Sequence, residues 1–191
     1  TDGSRAILEK QHDIKTFFHI HNRGKGAALR TGLEHATGDV ILIQDADLEY
    51  DPSDYSSLLQ PLIDGKSEVV YGSRFQSTEG NLKKSKVVYG IHYLGNAFLT
   101  FMTNLLFRSR LTDMETCYKV FTRSALKKIG RLRATRFDFE PEITAKFLKK
   151  GFRIYEVPIS YFSRDFKEGK KITWRDGVKA LWYLLKYRIV D

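Results

Sequence analysis

The segment that most constrains this chain is an apolar run followed directly by acids at alternating positions. Residues 40–43 are Val-Ile-Leu-Ile, and residues 44–49 are Gln-Asp-Ala-Asp-Leu-Glu. The apolar run predicts a buried strand, and an extended chain would point Asp45, Asp47 and Glu49 the same way. Hard oxygen ligands at the carboxyl end of a strand suit Mg²⁺ or Mn²⁺, which in turn suit a phosphorylated substrate. The alternative is an acidic loop that only solvates the strand end.

Periodicity and capping residues predict that helices and strands alternate along the chain. The predicted helices cover residues 5–11, 26–35, 51–63, 87–107, 140–150 and 174–187, and the predicted strands cover 16–20, 39–43, 68–71, 118–121 and 153–157. This alternation implies an α/β fold with a mostly parallel sheet and covering helices. A chain of 191 residues can bury one substantial core, so we expect a single domain over residues 1–191.

Charge and cysteine content limit the partners and the compartment. The net charge of +9 predicts a negatively charged partner, and nucleic acid, an anionic membrane surface and phosphorylated small molecules all qualify. The single cysteine, Cys117, excludes an internal disulfide and fits a reducing compartment. No secretory signal opens the chain, and its first residues, Thr-Asp-Gly-Ser, are typical of a loop, which predicts a fragment.

Residues 87–107 contain no Asp, Glu, Lys or Arg. On a helix, the polar residues of this segment share one face: His92, Asn96, Thr100, Thr103 and Asn104. The pattern predicts an amphipathic helix that lies on a core or at a membrane surface. A membrane-spanning helix is the alternative, since the segment is long enough to cross a bilayer.

Two cationic side chains follow predicted strands. Lys25 lies in the run Asn-Arg-Gly-Lys-Gly, where glycines would let the backbone approach a phosphate at a helix N-terminus. A glycine turn with a solvated lysine is the alternative. Arg74 follows the strand predicted over residues 68–71. That strand should end at the same edge of the sheet as the acids, so Arg74 could reach the same ligand. The alternative for Arg74 is a solvated surface charge.

Three further polar segments are candidates for the site. Asp113 and Glu115 follow the long helix and could act as a general base, or simply make capping and loop hydrogen bonds. The acids within residues 137–142 open a helix, where the helix dipole explains them without any function. Arg164 and Lys171 lie in a basic loop that could close over a diphosphate, with a solvated charge run as the alternative.

Seven runs spread over nearly the whole chain match one known pattern. They are TDGS at 1–4, NRGKGAALRTGL at 22–33, GDVILIQDADLEYDP at 38–52, VVYGSRF at 69–75, LTDMETCYKVF at 111–121, FDFEPEITAK at 137–146 and EGKKITWRDG at 168–177. Together they resemble the family-2 glycosyltransferases, specifically the branch of dolichyl-phosphate mannose and glucose synthases and their bacterial polyprenyl-phosphate relatives. The resemblance implies a GT-A fold, a Rossmann-like three-layer sandwich with a mostly parallel central sheet.

The resemblance also implies an activity and its site. The activity is inverting transfer of a hexose from a nucleotide-diphosphate sugar, of the GDP-mannose or UDP-glucose type, to a polyprenyl phosphate. On the family pattern, Asp45 and Asp47 correspond to the D-x-D motif that holds Mg²⁺ or Mn²⁺ and the donor diphosphate, with Glu49 as an additional ligand. Arg74 resembles the basic residue near the acceptor phosphate. Arg164 and Lys171 resemble the loop residues that meet the donor diphosphate.

The chain departs from the family pattern at two places. Relatives carry Arg and Ser where Val88 and His92 stand here, so we expect acceptor contacts from His92 and Asn96 instead. Relatives also begin with a strand of the V-I-P-x-Y-N-E type and a D-D-G-S element, which cradle the nucleotide. Neither is present here, which predicts an N-terminally truncated domain that lacks part of its donor pocket.

The expected chemistry explains why no strong base is needed. A phosphate monoester is largely ionised near neutral pH, because its second pKa lies near 6. A metal on Asp45 and Asp47 would act as Lewis acid for the leaving diphosphate, while Arg74, Arg164 and Lys171 offset charge repulsion. We expect a peripheral or anchored protein at the cytoplasmic face of a membrane.

Two other functions remain open from the sequence. A family-2 transferase that acts on a saccharide hydroxyl would need a carboxylate base such as Asp113 or Glu115. A non-catalytic nucleic-acid-binding module fits the basic charge but gives no reason for the acidic run at residues 44–49, so we expect no nucleic-acid partner.

Overall fold

The computed structural model describes residues 3–76, 91–162 and 174–190. Its helices are α1 (Ser4–Leu8), α2 (Lys25–His35), α3 (Tyr55–Ile63), α4 (Ile91–Phe107), α5 (Arg123–Ile129), α6 (Phe139–Lys149) and α7 (Trp174–Ile189), and a 3-10 turn at Pro52–Asp54 precedes α3. Its strands are β1 (Val40–Leu42), β2 (Val69–Ser73), β3 (Lys119–Thr122) and β4 (Ile154–Pro158).

The four strands form one sheet in the order β1-β3-β2-β4. Strand β2 pairs with β4 in parallel, whereas β3 is antiparallel to both β1 and β2. Strands β1, β2 and β4 therefore run in one direction, with β3 reversed between two of them. The reversal arises because the chain enters β3 from the edge where β2 ends, as the hydrogen bond between Ser73 and Thr112 shows. The α/β prediction is confirmed, with a mixed sheet.

Helices cover both faces of the sheet. Residues 69–71 of β2 are fully buried, which requires cover above and below because successive strand side chains alternate between faces. On one face, the Tyr71 hydroxyl lies 3.0 Å from the Thr144 hydroxyl of α6. On the other, the Tyr55 ring at the start of α3 packs edge-on against Tyr118, with centroids 5.9 Å apart. The predicted three-layer arrangement is confirmed.

The predicted strand over residues 16–20 is wrong. Residues 9–24 form neither a helix nor a strand, and Ile20 is 91% exposed. Phe17 stacks on His35 of α2, with ring centroids 3.9 Å apart, instead of entering the sheet. A strand needs a neighbour for its hydrogen bonds, and within the described ranges β1 pairs only with β3. The apolar residues at 16–20 are therefore not sufficient to form a strand.

Helix α5 was not predicted. It begins directly after β3, and the Thr122 hydroxyl accepts a hydrogen bond from the Ala125 amide at 3.1 Å. This N-cap satisfies one of the amide groups that a helix start leaves open. The threonine directly after an apolar strand was the available sequence signal. The other predicted helices and strands are present.

Helix α4 turns its polar face toward the protein. Thr100 and Thr103 are buried, and Asn104 binds the backbone of Leu111 through both its amide nitrogen and its amide oxygen. The outward face carries four apolar side chains that are 51% to 65% exposed: Leu94, Phe98, Phe101 and Leu105. The predicted amphipathic helix is confirmed, with its apolar stripe outward. No helix in the described part of the chain combines the length and apolar character needed to cross a membrane.

Candidate active site

Lys25 links the acidic segment after β1 to the start of α6. Its ammonium lies 2.7 Å from the Asp45 carboxylate and 2.9 Å from Glu140. Burial alone would lower the pKa of Lys25, but the charges of Glu140 and Asp45 outweigh it and raise that pKa above its ordinary value. Lys25 is therefore a fixed cation beside Asp45, not a solvated lysine.

The glycines around Lys25 allow the start of α2 to pack closely against the loop before α6. A side chain at Gly26 would meet backbone atoms of Ala134 and Arg136 at 2.9 Å. The amides of Gly26 and Ala27 donate to the carbonyls of Arg136 and Thr135. The predicted phosphate cradle at the start of α2 is wrong, because these amides already bind the loop before α6. What the close approach achieves is to bring Lys25 and Glu140 together.

The acidic segment does not stay extended. Residues 46–49 bend, and Leu48 has a φ of 62°, so the predicted alternation of Asp45, Asp47 and Glu49 is wrong. The Glu49 amide donates to the Asp47 carboxylate at 3.3 Å, and the Glu49 carboxylate accepts from the Tyr161 hydroxyl at 3.0 Å. In residues 3–76, 91–162 and 174–190, no three His, Cys, Asp or Glu side chains converge as a metal site.

Two carboxylates nevertheless suit a divalent ion at this edge. Asp45 is held at 2.7 Å by the Lys25 cation, and its side chain is 29% exposed. Mg²⁺ is commonly bound through one or two carboxylates together with substrate phosphates and water, so a complete protein cage is not required. The donor chemistry of Asp45 and Asp47 fits such an ion, whereas Glu49 is turned toward Tyr161.

Arg74 is clamped by Asp113 at the end of β2. Its Nε and Nη2 each lie 2.7 Å from a different oxygen of the Asp113 carboxylate, and its backbone amide donates to the same group at 3.0 Å. Asn96 of α4 adds a fourth hydrogen bond at 3.2 Å. Asp113 is fully buried, and the Arg74 side chain is 15% exposed. Asp113 therefore acts as an anchor for the guanidinium, because its oxygens are already occupied.

Tyr161 connects the acidic segment after β1 to Arg74. Its hydroxyl donates to Glu49, and the Arg74 guanidinium lies over its ring at 5.1 Å from the centroid. Its backbone pairs with that of Tyr50, directly after the acidic segment. The structure thus holds the acidic segment and Arg74 on two sides of one aromatic side chain. Sequence analysis missed Tyr161, which follows the last strand in an ordinary apolar context.

Glu115 and the buried Lys119 lie close enough for their charges to influence each other. Burial and the charge of Glu140 raise the pKa of Glu115 to about 7, although Lys119 and Arg74 oppose the shift. Burial lowers the pKa of Lys119, whose ammonium donates to the carbonyls of Met114 and Thr116. A carboxyl group with a pKa near 7 can exchange a proton at neutral pH, which is the property of a general base.

The remaining predicted residues have the following positions. Asn96 contacts Asp113, as described above. His92 lies in α4, but its side chain is outside what the structure describes. Arg164 and Lys171 lie outside the described residues. Glu140 was missed because the helix dipole already explained acids at the start of α6, and only the fold brings it to Lys25.

Comparison with known proteins identifies relatives over most of the chain. Residues 1–130 match the model of Glycosyl transferase family 2. The chain is 31% identical over 175 residues to a UDP-N-acetylglucosamine--dolichyl-phosphate N-acetylglucosaminyltransferase of Methanococcus voltae, which covers 90% of this chain and 68% of that protein. It is 27% identical over 163 residues to the low-salt glycan biosynthesis hexosyltransferase Agl6 of Haloferax volcanii, which covers 85% of this chain and 38% of that protein.

Solved structures show the same fold. The glucosyl-3-phosphoglycerate synthase of Mycobacterium tuberculosis, in complex with Mn²⁺, uridine diphosphate and phosphoglyceric acid, superposes with a TM-score of 0.62 at 14% identity. The superposition covers 88% of this chain and 55% of that chain. The present chain therefore spans about half the length of that enzyme, and the likeness is one of fold.

Proposed function

Because the chain belongs to glycosyl transferase family 2, we propose that the protein transfers a hexose from a nucleotide-diphosphate sugar to a polyprenyl phosphate, with inversion at the anomeric carbon. The observation that carries the acceptor class is the Arg74–Asp113 clamp. It offers a fixed guanidinium at the site edge, while the carboxylate beside it is fully occupied. A relative named for a dolichyl-phosphate acceptor supports the same class.

The chain's own residues account for two requirements of this reaction. An ionised phosphate acceptor and a diphosphate leaving group repel each other, so the site must neutralise charge at both. Arg74 would neutralise the acceptor phosphate, and Lys25 would orient Asp45 at the donor end. Asp45 and Asp47 would hold Mg²⁺ or Mn²⁺, which supplies Lewis-acid stabilisation of the leaving diphosphate. The Mn²⁺ in the structurally similar synthase supports this choice.

We propose that α4 and α7 rest on the cytoplasmic face of a membrane. The two helices pack against each other through Leu99, Leu184 and their neighbours, and each has an outward apolar stripe. The stripe of α7 comprises Val178, Trp182, Leu185 and Ile189, each at least 40% exposed. Basic residues lie beside these stripes, among them Arg108 and Lys186, and they complement anionic lipid headgroups. A polyprenyl acceptor is embedded in such a surface.

Vesicle binding tests the membrane proposal. The full-length protein should float with vesicles that contain anionic lipid and bind neutral vesicles less well. Phe98→Ser together with Phe101→Ser should weaken flotation at least tenfold, because both side chains are exposed on the α4 stripe. Exposed Phe17, far from α4 in the sequence, supplies the matched control as Phe17→Ser. Equal flotation of all three proteins would refute the proposal.

Glu115 favours a second candidate function. Its pKa of about 7 would allow it to deprotonate a saccharide hydroxyl, which does not ionise unaided. A polyprenyl-phosphate acceptor does not need this step. The variant Glu115→Gln therefore separates the two functions: it should retain transfer to a phosphate and abolish transfer to a hydroxyl.

An acceptor competition tests the proposed function directly. The full-length protein is incubated with Mg²⁺ and a UDP-sugar or GDP-sugar, together with either a polyprenyl phosphate or an oligosaccharide. We expect product on the polyprenyl phosphate and a loss of at least 100-fold in Arg74→Lys, because lysine cannot reproduce the bidentate contact with Asp113. Product on the oligosaccharide alone would overturn the proposal.

A further inference from the structure

Glu156 of β4 binds the loop that carries Asp113. Its carboxylate accepts hydrogen bonds from the amide of Thr112 at 2.8 Å and from the amide of Asp113 at 3.0 Å. It also accepts from the Thr112 hydroxyl at 3.0 Å. One carboxylate therefore fixes the backbone of Thr112 and of Asp113, and Asp113 is the residue that binds Arg74.

Thr112 also links Glu156 to the backbone turn around Arg74, through Ser73. The Thr112 hydroxyl lies 2.7 Å from the Ser73 hydroxyl. The Ser73 oxygen accepts from the amides of Phe75 and Gln76, at 3.2 and 3.1 Å. Because Thr112 donates its own proton to Glu156, Ser73 donates to Thr112. A continuous chain of hydrogen bonds thus runs from Glu156 to the turn that contains Arg74.

We infer that Glu156 is a positioning residue for the acceptor end of the site: by fixing Thr112 and Asp113, it sets the orientation in which the Arg74 guanidinium is presented. This inference rests on the proposed function, in which Arg74 meets the acceptor phosphate. Glu156 does not touch that phosphate. It acts through Asp113 on the side chain and through Thr112 and Ser73 on the backbone.

The geometry calls for a carboxylate at residue 156. Two neighbouring amides and one hydroxyl all donate to this side chain, so it must accept on both oxygens. A glutamine would place an amide NH₂ against at least one of these donors. Glu156→Gln preserves the volume and should disturb only this set of bonds, which makes it the informative variant.

Steady-state kinetics provide the first test, with the full-length protein. In Glu156→Gln we expect the KM for polyprenyl phosphate to rise at least tenfold and the KM for the nucleotide sugar to stay within twofold. In a protein that already carries Arg74→Gln, adding Glu156→Gln should change activity less than twofold. The control is Glu68→Gln, since Glu68 also accepts several hydrogen bonds but directly precedes β2, at the opposite end of this strand from Arg74.

A spectroscopic test does not depend on activity. The Arg74 Nε–H group, 2.7 Å from Asp113, should give a protected side-chain signal in ¹H–¹⁵N spectra that disappears in Arg74→Lys. In Glu156→Gln we expect its exchange with solvent to accelerate at least tenfold. An unchanged signal, or equal changes in both KM values, would overturn the inference. Loss of the signal with an unchanged acceptor KM would uphold the positioning role and refute the proposed contact between Arg74 and phosphate.

Discussion

The two ends of the candidate site differ in burial and in the number of hydrogen bonds that hold their charged side chains. At the proposed acceptor end, Asp113 is fully buried and receives hydrogen bonds from the side chains of Arg74 and Asn96 and from the Arg74 backbone. At the proposed donor end, Asp45 is 29% exposed, and the principal contact that holds it is Lys25. One end is rigidly organised by the fold alone, whereas the other presents charged groups at the surface.

This difference teaches how a transferase can divide its work between fold and ligand. A metal and a diphosphate bring their own charge and geometry, so two partly exposed carboxylates suffice to receive them. A lone phosphate on a lipid brings no metal, and the protein must supply the opposing charge in advance. The cost of burying Arg74 is met by Asp113, whose oxygens match the guanidinium in a bidentate pair.

The largest expected effect comes from removing a donor-end carboxylate. Asp47→Ala should lower turnover at least 1,000-fold, because the metal would lose one of two protein ligands. Its free energy of unfolding should fall by only about 1 kcal/mol, the typical net contribution of a hydrogen bond such as the one that Asp47 accepts from the Glu49 amide. Enzyme assays across a Mg²⁺ titration and urea unfolding measure both quantities. A folded Asp47→Ala protein with full activity would refute the metal assignment.

Asp113→Ala should give the opposite profile, with loss of stability as well as activity. Removing this fully buried carboxylate leaves the Arg74 cation, whose side chain is only 15% exposed, without its partner, and breaking a buried pair in this way typically costs about 3–5 kcal/mol. Urea unfolding measures the loss. The double variant Asp113→Ala with Arg74→Met is the control, and it should recover part of the stability because it removes the unpaired charge. If Asp113→Ala were as stable as the natural protein, the contrast between the two ends would fail.

The sequence predicted those parts of the fold that depend on local pattern. Strand β1 and helix α2 were found because their apolar residues and flanking glycines carry a local signal. The antiparallel placement of β3 was not predictable, because it depends on where the preceding loop meets Ser73 in space. The strand predicted over residues 16–20 failed for the same reason, since pairing is a property of neighbours.

The candidate site shows the same division. The acids after β1 and the arginine after β2 were visible as polar groups at strand ends. Their partners were not, because Glu140, Glu156 and Tyr161 come from distant parts of the chain and occupy ordinary positions in their own elements. The bend at Leu48 was also invisible, since a leucine with positive φ carries no sequence signal.

A pH-dependent effect on stability should come from Glu115, whose pKa is raised in the folded protein. Its folded pKa of about 7 is above the unfolded value, so the folded protein holds a proton that the unfolded chain releases between about pH 4.5 and pH 7. Stability due to this group therefore falls as pH rises through that window. Glu115→Gln should become more stable than the natural protein by about 2 kcal/mol at pH 8 and should match it near pH 4.

The control for this titration is Glu68→Gln. Hydrogen bonds from Ser124 and Lys128 lower the pKa of Glu68, so its contribution to stability is lost as pH falls. The difference between Glu68→Gln and the natural protein should therefore have the opposite sign and shrink toward acid pH. Urea unfolding at several pH values measures both differences. A pH-independent difference for Glu115→Gln would show that Glu115 has the same pKa in the folded protein as in the unfolded chain.

The smallest effect should come from Tyr161, which tests whether the two ends are coupled. Tyr161→Phe keeps the ring beneath Arg74 and removes the hydroxyl that donates to Glu49, so it should cost about 1 kcal/mol of unfolding free energy. If the ends are coupled through this residue, the variant should also raise the KM values of both substrates two- to threefold. Tyr155→Phe, on β4 but outside these contacts, is the control. A change confined to the donor KM would show that the hydroxyl serves the acidic segment alone, because the ring that supports Arg74 is still in place.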